Sequence, residues 1–164
     1  MFKVNDVIVY SGCGVCRVNE ISERTFGDVS SVYYVLKPVS GGGNTYYVPM
    51  DNETLISKMR KLISREEIEK LVSSMKDEDD IWIDNDELRK KEYRRIIQSG
   101  SCTELIRLIR TLYNYQKLRS EQKKKLRSAE ENLLREAENI LNEEFAFVLE
   151  IPKSDVPDYI RNHV

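Results

Sequence analysis

Cys13 and Cys16 stand as a C-x-x-C, "CGVC", the first spacing in this chain that could do chemistry. Such a pair exchanges disulfides when a helix N-terminus stabilises one thiolate, and it holds zinc when two further ligands converge. Here the motif runs straight into "VCRVNEI", which has strand character, and strand parity would put the two thiols on opposite faces. The other soft ligands are Cys102 and His163, far along the chain. Three cysteines make no even disulfide framework, which suits a reducing compartment. No metal site and no cofactor are expected from these residues.

Other catalytic patterns are equally thin. "SGGGN" lies between two strand-like runs and opens no helix, so it is no phosphate loop. The one histidine, His163, stands at the end of the sequence, where no histidine-centred triad is expected. The many carboxylates have helix-capping or helix-surface explanations. The chain is therefore expected to bind rather than to catalyse.

Charge is the stronger signal. The net charge is −2, yet residues 77–87 hold 7 acids and no base, and residues 88–127 hold 13 bases against 3 acids. A block of +10 inside a nearly neutral chain is a candidate polyanion surface, because solvated helix faces usually mix signs. Trp82, the only tryptophan, sits on the seam between the two blocks, in "DEDDIWIDNDELRKKEYRR". A core tryptophan is expected in an apolar surround, so two readings stay open, a core plug and a surface contact.

The elements that must position these residues fall into two halves. Residues 1–55 read as β: "FKVNDVIVY", "GVCRVNEI", "VYYVLKPV" and "TYYVPM" are β-branched and aromatic, with turns at "YSGCG", "FGDVSS" and "SGGGN". Short strands on short turns suggest a small bent barrel of the SH3 or Tudor type, with Pro49 at a strand end or edge. Residues 56–164 turn helical. "SREEIEKLVSSM" opens on a capping box, Ser64 with Glu67. A second helix is expected to start at Asp84, with Glu87 at N3 and a staple between Ile83 and Leu88. Gly100 is a stop and Ser101 a new cap, for a helix over 102–118. A longer helix starts near Ser120, with Leu126, Ala129, Leu133, Ala137, Ile140, Leu141 and Phe145 inward, and Ser154 caps a short last one. The expected fold is α+β, a Tudor/SH3-like β-barrel followed by a compact bundle of about five helices.

No run approaches the roughly 20 apolar residues of a membrane span. "MFKVNDVIVY" lacks a basic-then-apolar leader, so a cytoplasmic protein without membrane association is expected.

In its order of segments the chain resembles the CarD/CdnL family of bacterial transcription regulators. The resemblance rests on "MFKVNDVIVY-SGCGVCRVNEI", "YYVLKP", "TYYVPMDN", "QSGSCTELIRLIRTLY" and "SEQKKKL…AENILNEEFAFVL". It implies a non-enzymatic monomer that binds the RNA polymerase β subunit by sheet-edge pairing. The same factor would bind promoter double-stranded DNA, without sequence preference, at the upstream fork of the melted region, stabilising the open complex. The polymerase contact would use Arg24, Tyr47, Val48 and Pro49; the family often has arginine where Tyr47 stands. The DNA contact would use Arg89, Lys90, Lys91, Arg94 and Arg95 on phosphates, with Trp82 as a minor-groove wedge. In the family a base follows the tryptophan closely, whereas here three carboxylates intervene before Arg89. Register from the Ser-Gly turn sets Asp86 opposite the family's tryptophan. The competing expectation is a Tudor- or SH3-like adaptor for a peptide or RNA, with the helices used for dimerisation.

Overall fold

Alternating β-branched and aromatic residues build five antiparallel strands in the first half: β1 (Val7–Tyr10), β2 (Gly14–Phe26), β3 (Val29–Pro38), β4 (Tyr46–Pro49) and β5 (Met59–Lys61). The computed structural model describes residues 1–164, which divide into two units, Met1–Leu62 and Ile63–Val164. In the first unit the sheet order is β4-β3-β2-β1-β5, a Tudor-like sheet with β4 and β5 as its edge strands. Ile8, Val18, Tyr34, Leu36, Val48 and Met59 point inward and form its core. The register shifts between Val18 and Glu20, an insertion that lets both Val18 and Ile21 face this core. Gly27, at φ 64°, supplies the left-handed residue that turns β2 into β3.

One boundary differs from the sequence expectation. The first unit ends at Leu62 rather than residue 55, because "ETLI" and "MRK" belong to it. Asn52 accepts from the Leu55 amide at 3.0 Å and caps the single turn α1 (Glu53–Ile56), whose Leu55 and Ile56 pack on the core. β5 then pairs with β1 and buries Met59. The two cysteines also escape strand parity. Cys13 lies in the turn before Gly14, which has φ 96°, and both Cys13 and Cys16 pack on the same core cluster.

The second unit holds five α-helices: α2 (Arg65–Ser74), α3 (Asp86–Ser99), α4 (Cys102–Glu121), α5 (Ser128–Leu149) and α6 (Val156–His163). The Ser64–Glu67 capping box forms, at 3.1 and 2.8 Å. Gly100 ends α3 at φ 66°, and Ser101 caps α4. Tyr93, Ile96, Leu105, Leu108, Leu112, Leu141 and Phe145 are at most 2% exposed at the centre of the bundle.

Helix boundaries also shift. Asn85, not Asp84, caps α3 through the Leu88 amide, and Leu88 is 59% exposed, so no staple forms with Ile83. α4 continues to Glu121, and the basic loop to Arg127 carries Lys123 at φ 58°, which stops the helix. α5 therefore starts at Ser128, and its phase leaves Ala129 exposed and turns Glu130 inward. Asp155 rather than Ser154 precedes α6, without a side-chain cap.

Candidate functional site

Strand parity gathers one surface on the first unit. Ser22, Arg24 and Phe26 on β2 pair across to Tyr33, Ser31 and Val29 on β3, and Tyr47 on β4 pairs to the buried Val35, which by parity puts the Tyr47 side chain on the same face. Phe26 meets Tyr33 and Tyr47 edge-on at 5.2 and 5.5 Å between centroids, and the Arg24 guanidinium lies 5.8 Å from the Tyr47 ring. Phe26, Val29 and Tyr47 are 51%, 64% and 42% exposed, an aromatic patch open to solvent beside the edge strand β4. Arg24 donates to Ser22 Oγ at 3.2 Å and to Glu20 Oε2 at 3.1 Å, which fixes its position on the face. The Ser22 hydroxyl and then Arg24 hold the Glu20 carboxyl below the usual carboxylate range.

Of the residues expected here, Arg24 and Tyr47 do converge. Val48 does not share their surface: its side chain is 0% exposed, in the core, so only the open edge of its strand remains for a partner. Pro49 ends β4, where a missing N–H costs no ladder bond. Phe26 and Tyr33 were missed, since the hairpin that brings them to Tyr47 pairs distant positions.

On the second unit the five bases of α3 behave unequally. Lys90 and Lys91 are exposed and lie in no ion pair within 4.0 Å. Arg94 pairs with Glu136 at 2.7 Å, and Arg95 with Glu92 and Glu104 at 2.7 and 2.8 Å, each arginine about half exposed. Arg89, expected on phosphates, is 4% exposed and lies in the interior. Its helix position points between α3 and α5, where Glu130 meets it. Exposed cations absent from the expected set stand in the α4–α5 loop, at Lys123, Lys124 and Lys125. The Arg119 side chain donates to the Lys125 carbonyl at 2.7 Å and holds that loop. The +10 block did signal them, but helical periodicity had placed them within a helix.

Trp82 is half-buried, not free-standing, and packs on the bundle core. Its ring stacks on Tyr115 of α4, at 3.7 Å and 21°, and the Arg89 guanidinium carbon is 4.4 Å from its centroid. The segment before α3 is tied down from several sides. Ile81 donates its amide to Thr111 Oγ1 at 3.0 Å, Tyr93 donates its hydroxyl to the Ile81 carbonyl at 3.0 Å, and Asn114 donates to the Asp80 carboxylate at 3.0 and 3.2 Å. Burial pushes the Tyr93 hydroxyl up to about 12. The outer edge of Trp82 borders an open cleft of about 560 Å³ with Asp84, Tyr115 and Leu118.

Neither unit brings three or more His, Cys, Asp or Glu side chains together as a metal site, and no disulfide links Cys13, Cys16 and Cys102. No helix is long and apolar enough to cross a membrane. A family model for the CarD-like/TRCF RID domain matches residues 2–63, and one for the CarD C-terminal domain matches residues 70–161. The curated proteins yielded no match.

Proposed function

Since this chain belongs to the CarD family of RNA-polymerase-interacting transcription factors, we propose that it joins the polymerase β subunit to promoter DNA and prolongs the open complex. The observation that carries the reading is the patch of Arg24, Phe26, Tyr33 and Tyr47 beside the unpaired edge of β4. An incoming strand on that edge gains main-chain hydrogen bonds, and the aromatic face supplies anchors of the type that dominate interface energies. The Arg24 position keeps a cation at the rim, and Tyr47 takes the anchoring role through its ring.

The DNA contact is assigned to Lys90 and Lys91 on α3 together with Lys123, Lys124 and Lys125, which are exposed and lie in no ion pair. Arg94 and Arg95 contribute less, because each must leave a carboxylate to reach a phosphate. Such contacts hold a protein in register without reading bases. Trp82 acts as a braced wedge in this proposal: Tyr115 and Arg89 hold it, and its open edge meets the step at the upstream fork. A wedge that unstacks a base step must itself resist displacement, which the stack provides.

The test is a pull-down of the β subunit by the first unit, residues 1–62. Phe26→Ala or Tyr47→Ala should each weaken binding about 5- to 30-fold, the loss expected of an interface anchor worth 1–2 kcal/mol. Capture that is unaffected by both substitutions, or that needs the helical unit, removes the patch as the docking site.

A further inference from the structure

We infer that Arg89, held by Glu130, is a positioning residue that sets the pose of Trp82, rather than a phosphate-binding one. The guanidinium is used on nearly every side. Its Nε and Nη2 both donate to Glu130 Oε1, at 3.2 and 2.8 Å, reaching from α3 to α5. Nη2 also donates to Asp86 Oδ1 at 2.7 Å, and Nη1 donates to the Ile83 carbonyl at 2.9 Å. Its guanidinium carbon then lies over the Trp82 ring, 4.4 Å from the centroid. One side chain thus joins the loop carrying Trp82, the first turn of α3 and the first turn of α5.

The arrangement requires arginine. A planar fork serves two carboxylates and a carbonyl while stacking on an indole, whereas a lysine ammonium offers a point charge without a face. Glu130 is needed equally. Its side chain and that of Arg89 are each 5% exposed, so either charge alone would be stranded away from water. The inward turn of Glu130, which displaces Ala129 from the expected apolar stripe, has this partner as its cause. Arg89 does not reach DNA; it holds the residue that does. That last step rests on the function proposed above, while the positioning of Trp82 stands by itself.

The test uses the full chain, in which Trp82 is the sole indole, so tryptophan emission reports this site alone. Arg89→Lys should raise iodide quenching of Trp82 about 2- to 5-fold, the population released when a cation–π contact is lost. Glu130→Gln should act in the same direction and carries the test if Arg89→Lys melts too low to measure. Lys90→Gln should leave quenching unchanged. The salt slope of DNA affinity should match wild type in the paired variant Arg89→Gln/Glu130→Gln, which removes the cation without stranding its carboxylate, whereas loss of a phosphate contact in Lys90→Gln lowers it by about 0.9. In open-complex decay, Arg89→Lys added to Trp82→Ala should cause no further loss. Wild-type quenching in folded Arg89→Lys and Glu130→Gln overturns the inference. If the chain leaves promoter complexes unaffected, the proposed function fails, and the quenching measurement still decides the role of Arg89.

Discussion

Replacing Trp82 by alanine separates a braced side chain from a free-standing one by its cost to the fold. Full burial would make the truncation cost about 3–5 kcal/mol. Half-burial reduces that to about 2 kcal/mol. The stack on Tyr115 at 3.7 Å adds about 0.5–1.5 kcal/mol. The Arg89 contact at 4.4 Å adds about 0.5–1 kcal/mol. The sum is about 3–4.5 kcal/mol, larger than the ~0 expected of a solvent-exposed wedge. For a domain of this size each kcal/mol lowers the midpoint by about 4–8 °C, so the helical unit should melt at least ~12 °C earlier. The assay is a thermal melt of the full chain followed by far-ultraviolet circular dichroism at the helix band, with Leu118→Ala, 53% exposed, as the surface control. A shift below about 4 °C for Trp82→Ala would mean that the stack contributes under 1 kcal/mol, and the bracing argument would fail.

Three further outcomes follow from the geometry. Changing Lys123, Lys124 and Lys125 together to Gln should lower the slope of log affinity for double-stranded DNA against log salt by up to about 2.7, at 0.9 per phosphate contact, between roughly 50 and 200 mM salt; an unchanged slope excludes the loop from the contact. Residues 1–62 should show a cooperative melt in isolation, whereas residues 1–55 lack β5 and should not; a cooperative melt of the shorter piece would show that the Met59 strand is dispensable. Glu67 and Asp86 both titrate below their ordinary values, Glu67 through the Ser64 backbone and hydroxyl and Asp86 through Arg89. A depressed carboxyl stabilises the fold above its unfolded pKa and loses that contribution as pH falls through the folded one. Acid melts should therefore show stability lost below about pH 4, and Asp86→Asn should flatten that dependence.

Much of this architecture was written in local patterns. Capping residues at Ser64 and Ser101, the stop at Gly100 and the apolar stripes around Leu105 and Leu141 act within one or two turns, so spacing alone locates them. The parts that escaped are those fixed by distant partners. Arg89 and Lys90 are adjacent bases in the sequence, and only the facing position of Glu130 on α5 makes one interior and the other exposed. Arg94 and Arg95 lose freedom to Glu136 and Glu104 for the same reason. Met59 to Lys61 form too short a strand to read without β1 beside them. The aromatic patch was half legible: the family resemblance pointed to Arg24 and Tyr47, while Phe26 and Tyr33 depend on hairpin register. The indole stack with Tyr115 had no local signal at all, since the two rings come from separate elements.

The central claim is that one chain ties polymerase to the upstream fork and slows collapse of the bubble. Its most direct test is the decay of preformed open promoter complexes after a competitor challenge, with and without the full-length chain. The account predicts slower decay with the wild-type chain, a return toward the basal rate with Tyr47→Ala, and an intermediate rate with Lys90→Gln. Equal decay rates with and without the wild-type chain, at concentrations where it binds the β subunit, would contradict it.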